Sequence, residues 1–205
     1  MNEGGGIVRL RGVVVGGRSE PWARLGFEID GDRFAVGAVT FAFTGREPGG
    51  IRAWDVGLDG DVEGLAHESV DPVAEVAHAN GVVAVDHLVA TTPDLDRTTA
   101  ALGRLGIQPH RTVEAIPGRE GRRFRFFLLG TAVLELIGPT APRGERPARF
   151  AGVAFATERL GALADSLGDL LGEVHDAVQP GRRIASVREE AAGLGVPVAF
   201  MTPRG

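Results

Sequence analysis

Apolar and polar positions in this chain follow two periods, and the switches between them divide its 205 residues into modules. Val82–Val89 and Thr131–Ile137 are apolar, β-branched runs of strand length. Between them, Thr92-Pro93-Asp94 opens a helix that carries Leu95, Thr99, Leu102 and Leu105 at helical spacing and is closed by Gly106. His110–Ile116 and Arg123–Leu129 predict two more strands, so residues 81–139 read strand, helix, three strands. The same order recurs in 149–205. There the strand Phe150–Ala156 leads to a Thr157-capped helix with Leu160, Leu163, Leu167 and Leu171 on one side, ended by Gly172. The strands Glu173–Val178, Arg183–Val187 and Val196–Met201 follow. Residues 1–66 read as a shortened third copy. It has a strand at Ile7–Val15, a Ser19-capped helix, a hairpin of Phe27–Asp30 and Arg33–Val36 about Gly31-Asp32, and strands at Ala38–Thr44 and Ile51–Val56. A short capped helix is expected in the linker 67–80, with His67 and His78 exposed, and a Pro- and Arg-rich linker at 140–148.

Two positions break the apolar pattern. Side chains alternate along a strand, so Val83, Val85, His87 and Val89 should share one face, and Val133, Glu135 and Ile137 another. A histidine and a carboxylate in such strands cost free energy unless each finds a partner, a metal, a ligand or water. His87 and Glu135 are therefore the candidate site. They act as two metal ligands, as an acid–base dyad, or as a hydrogen-bonded pair that only lends polarity. His110 and Gln179 are candidate ligand-binding neighbours. Arg183 starts a strand and is the better candidate anchor for an anion, with Arg182 a solvated turn residue. Period two also divides the strand Arg123–Leu129: Phe124, Phe126 and Leu128 are assigned to the core and Arg125 to the cleft or the surface. Trp22 and Trp54 read as packing residues.

Composition narrows the chemistry. The chain has no Cys, Lys or Tyr, which removes thiol nucleophiles, disulfides, zinc–thiolate sites and Schiff-base lysines. None of Ser19, Ser69, Ser166 and Ser186 sits in a nucleophile-elbow motif, and no phosphate-loop or dinucleotide fingerprint is present, so no nucleotide cofactor is expected. A formal charge of −5 argues against a nucleic-acid surface. The N-terminus lacks a basic stretch followed by an apolar one, and no apolar run has membrane-spanning length. The expectation is a cytoplasmic protein, monomer or homodimer, whose partner is a small molecule.

The repeat carries a resemblance. Gly121-Arg122-Arg123-Phe124 answers Gly181-Arg182-Arg183-Ile184, and Leu134–Pro139 answers Val198–Pro203. With Asp86-His87-Leu88-Val89 ahead of Thr92-Pro93-Asp94, the chain resembles the vicinal oxygen chelate superfamily, the glyoxalase, bleomycin-resistance and extradiol-dioxygenase group. The resemblance implies an α+β fold of paired βαβββ modules whose mixed sheets curve into a cleft, with a degenerate extra module at the N-terminus. It also implies a divalent metal in the cleft, held by residues on the first and last strands of each module. His87 and Glu135 take those places in one module, while Gly152 and Ala199 stand in them in the other. The function implied is a glyoxalase-like isomerase or lyase acting on a small carbonyl compound. The alternative is a sequestration protein of the bleomycin-resistance kind that binds a small molecule without catalysis.

Overall fold

A computed structural model describes residues 7–46, 48–58, 60–114, 116 and 118–204; the N-terminal residues 1–6, which the sequence predicts to carry no targeting signal, lie outside these. The chain forms two mixed sheets. The first contains β1 (Gly12–Gly16), β2 (Arg33–Val36), β3 (Val39–Phe43), β4 (Gly50–Asp55) and β5 (Ala66–His67), in the order β2-β3-β1-β4-β5, with α1 (Glu20–Arg24) after β1. The β2–β3 hairpin turns at Gly37-Ala38 instead of the expected Gly31-Asp32, where a lone Asp30–Arg33 bridge forms. Gly37 takes the left-handed conformation that such a turn needs, at φ 58°.

The second sheet holds both full modules. One is β6 (Val82–Thr91), α2 (Leu95–Arg104), β7 (Pro109–Val113), β8 (Arg122–Leu129) and β9 (Ala132–Pro139). The other is β10 (Arg149–Thr157), α3 (Leu160–Leu167), β11 (His175–Asp176), β12 (Arg183–Ser186), the short α4 (Glu189–Ala192) and β13 (Val198–Met201). In each module the first strand pairs in parallel with the last, and β6 and β10 pair antiparallel. One eight-stranded sheet results, in the order β11-β12-β13-β10-β6-β9-β8-β7. This is the expected α+β architecture of two βαβββ modules, with a reduced module ahead of them.

Local chemistry explains the helices. Asp94 caps α2 by accepting from the Arg97 backbone N–H at 3.0 Å, and Leu95, Thr98, Ala101 and Leu102 are its buried face. α2 lies so close to β9 that a Cβ on Gly138 would meet the Cβ of Leu95 at 2.9 Å. α3 stops at Gly168, four residues before the expected Gly172, and continues as a 3-10 turn. The expected helix within 67–80 does not form. That segment lies across the first sheet, held by Val73 N–H to the Thr40 hydroxyl and by Gly37 N–H to the Glu75 carboxylate. His78 is buried, not exposed. Its Nδ1 accepts from the Glu28 N–H at 3.1 Å, its Nε2 meets the Ala35 carbonyl at 2.7 Å, and its ring packs edge-on against Phe27 and Phe34.

The two sheets share one apolar core. Trp22 and Trp54 are fully buried, as expected. Phe155 of β10 contacts Trp22, Phe27 and Phe41 of the first sheet's region, and Phe150 meets Trp54 edge-on at 5.5 Å.

Candidate functional site

His87 and Glu135 converge. β6 and β9 are adjacent and parallel, with His87 opposite Val133 and Glu135 opposite Val89, so both residues point to the face of the sheet away from α2. His87 Nε2 stands 3.5 Å from Glu135 Oε2, longer than a direct hydrogen bond. The two side chains keep 15% and 13% of their surface exposed, at the floor of a cleft of about 270 Å³. Phe126, paired across the ladder with Glu135, forms one wall. Ile184 and Met201 form the other, with His175, Gln179, Ser186 and Arg119 adding polar groups.

The carboxylate next to the histidine is the residue that sequence reasoning missed. β6 carries one more residue than its partner: Ala154 faces His87 and Phe155 faces Val85, which leaves Asp86 unpaired as a bulge. The bulge breaks the expected alternation. Val85 packs in the main core with Leu88 and Ala90, while His87 faces the cleft beside Val89. It also brings adjacent side chains together, and His87 Nδ1–H donates to Asp86 Oδ2 at 2.8 Å. Asp86 is only 4% exposed. Its other oxygen accepts from Arg182 Nη2 at 2.7 Å, with Arg204 Nε 3.4 Å away. Burial alone would push this carboxyl up, but the hydrogen bonds from His87 and Arg182, together with the charges of His87 and Arg204, hold it well below the usual carboxylate range. Arg182 is thus not a solvated turn residue. It is buried and also donates through Nε to the Thr202 carbonyl at 2.9 Å, because the turn before β12 folds it back onto the end of β13. The available signal was a carboxylate beside the histidine, with an arginine doublet at the matching turn of the second module.

The remaining candidates divide. Gln179 lines the cleft. Arg183 is exposed and donates to the Val174 carbonyl at 2.9 Å, outside the cleft lining. Arg125 turns to the helical side, where it pairs with Asp96 and donates to the Leu95 carbonyl. His110 is exposed on the edge strand β7. Phe124 and Phe126 do not join the main core. They share the cleft face with Ile116 and Ile137 in a second cluster, and Leu128 on that face is 46% exposed.

The donor set does not fit a resident metal ion. His87 and Glu135 supply two donors, and no group of three His, Asp or Glu side chains is suitably placed among the described residues. Ala199 has no donor atom. At Gly152 a Cβ would meet the Pro197 carbonyl at 2.9 Å, so the backbone closes the position a further ligand would occupy. Two protein donors hold a divalent ion weakly. Calorimetric titration with zinc, nickel or manganese is expected to show no tight one-to-one site; submicromolar binding lost in Glu135→Ala would reverse this reading.

Residues 84–189 match the family model described as Glyoxalase/Bleomycin resistance protein/Dioxygenase superfamily. No curated protein matches the chain. Among solved structures, methylmalonyl-CoA epimerase from Mycobacterium tuberculosis is similar at 19% identity and a TM-score of 0.50, over 62% of this chain and 92% of that one. A 4-hydroxymandelate synthase variant from Streptomyces coelicolor aligns at 14% identity and a TM-score of 0.63, over 98% of this chain and 94% of that one. A homoprotocatechuate 2,3-dioxygenase variant from Brevibacterium fuscum aligns at 15% identity and a TM-score of 0.62, over 96% of this chain and 72% of that one. These likenesses show the fold, and no helix among the described residues is long and apolar enough to cross a membrane. With the family model covering both paired modules up to α4, the chain belongs to the Glyoxalase/Bleomycin resistance protein/Dioxygenase superfamily.

Proposed function

We propose that the cleft binds a small carbonyl compound and that His87 and Glu135 shift a proton beside its carbonyl, an isomerase or epimerase reaction. One observation carries the reading: an imidazole and a carboxylate 3.5 Å apart at the floor of an open cleft. Asp86 accepts the Nδ1–H, which keeps the basic lone pair of neutral His87 on Nε2. Nε2 takes the proton from the carbon next to the carbonyl, and the C–H electron pair moves into an enolate. The imidazolium so formed lies between the carboxylates of Asp86 and Glu135. Arg119, His175, Gln179 and Ser186 are donors of the cleft lining that can meet the enolate oxygen. Reprotonation at carbon completes the exchange, and no step is assigned to a metal.

The test is deuterium wash-in from D2O, followed by proton NMR, on a panel of 2-oxo acids, α-hydroxyketones and thioesters. Exchange into at least one class is expected, and it should fall by about a hundredfold or more in His87→Ala and Glu135→Gln. Exchange unaffected by both substitutions would overturn the dyad. Binding without any exchange would favour the second reading, sequestration of a small molecule, which the apolar walls of Phe126, Ile184 and Met201 support.

A further inference from the structure

A second concave surface lies at the ends of the strands that carry the dyad. Thr91 is four residues beyond His87, about 13 Å along β6. It borders a groove of about 340 Å³ together with Pro139, Arg122, Arg143 and Arg149. A neighbouring space of about 280 Å³ shares Thr91 and Arg149 and adds Arg146. Three separate stretches of chain supply these arginines: the start of β8, the 140–148 connection and the start of β10.

Their electrostatics are uncompensated. Among the described residues, no Asp or Glu lines either space. Arg97, Arg123, Arg125 and Arg182 each pair with a carboxylate. The side chains of Arg122, Arg143, Arg146 and Arg149 make no ion pair or hydrogen bond among the described residues. Four unpaired guanidinium groups around the groove and its neighbouring space, in a chain of net charge −5, repel one another without any return to folding. Nor, among the described residues, does the groove share a lining residue with the His87 cleft.

We propose that this groove binds a small anion carrying two or more linked phosphoryl groups. A guanidinium presents paired N–H donors that match phosphate oxygens. One carboxylate or one phosphate would satisfy one or two such forks, whereas a diphosphate offers oxygens and charge to all four. The assignment stands apart from the dyad chemistry, because the two sites have no described residue in common.

Inorganic pyrophosphate titrated into the full chain by calorimetry, with orthophosphate as the comparison, tests the site. Saturable one-to-one pyrophosphate binding is expected, tighter than that of orthophosphate. Arg122→Gln and Arg149→Gln should each weaken it by about tenfold or more, the loss expected for a charge-assisted hydrogen bond. His87→Ala should leave it unchanged. Both arginines are exposed, so these variants are expected to unfold at the wild-type temperature. Absence of pyrophosphate binding, equal affinity for orthophosphate, or undiminished binding in the R122Q/R149Q double variant would overturn the proposal.

Discussion

Arg182→Met should destabilise the fold by about 3–5 kcal/mol, the usual result of stripping one partner from a buried ion pair. The guanidinium spans β6 and the end of β13, and its loss leaves the buried Asp86 facing only the half-exposed Arg204 and His87. Urea unfolding followed by circular dichroism reads the change; a loss below about 1 kcal/mol would mean that Arg204 or water replaces the contact. The pH dependence has a definite sign. Asp86 sits below its unfolded value of about 3.9, so its ionised form favours the folded state. That contribution is complete above about pH 4 and is lost as pH falls below it. Asp86→Asn should therefore be less stable than wild type at neutral pH and should show a flatter loss of stability on acidification. If Arg182→Met folds, proton exchange should fall through disorder of His87, while Arg182→Lys, which keeps the charge, should recover part of it.

Phe155→Ala is expected to cost about 3–5 kcal/mol, the range for removing a fully buried aromatic side chain. Its ring centroid lies 4.9 Å from Phe27, 5.3 Å from Phe41 and 6.1 Å from Phe200, and it meets Trp22 edge-on, so it joins residues from both sheets. The cavity would open where the sheets face each other, so the two should lose cooperativity before either melts alone. Hydrogen exchange should show β1 and β3 amides losing protection more than β8 amides; uniform loss would place the effect on the whole fold.

Much of the architecture was legible because strand and helix periods are strong local signals. Leu95, Leu102 and the cap Asp94 define α2, and the β-branched runs define β6 and β9. The meeting of His87 with Glu135 was legible too, since matching positions on the first and last strands of a module become neighbours once those strands pair in parallel. Three features were not. The bulge at Asp86 depends on the partner strand β10, which period two within β6 cannot report. Phe124 and Phe126 looked like main-core residues because the cleft face is itself partly apolar. The missing helix in 67–80 reflects tertiary override: the side chains of Asp55 and Thr40 accept from the Val70 and Val73 backbone N–H groups, and the segment's own Glu75 and His78 side chains bond the backbone of Gly37, Glu28 and Ala35.

The bulge has an evolutionary consequence. Without Asp86, Val85 would still point inward and His87 outward, because ordinary alternation already assigns neighbouring residues to opposite sides. A single-codon insertion could thus endow an existing strand with an ionic anchor, and a single-codon deletion could withdraw it, with the flanking side chains kept on the same faces of the sheet.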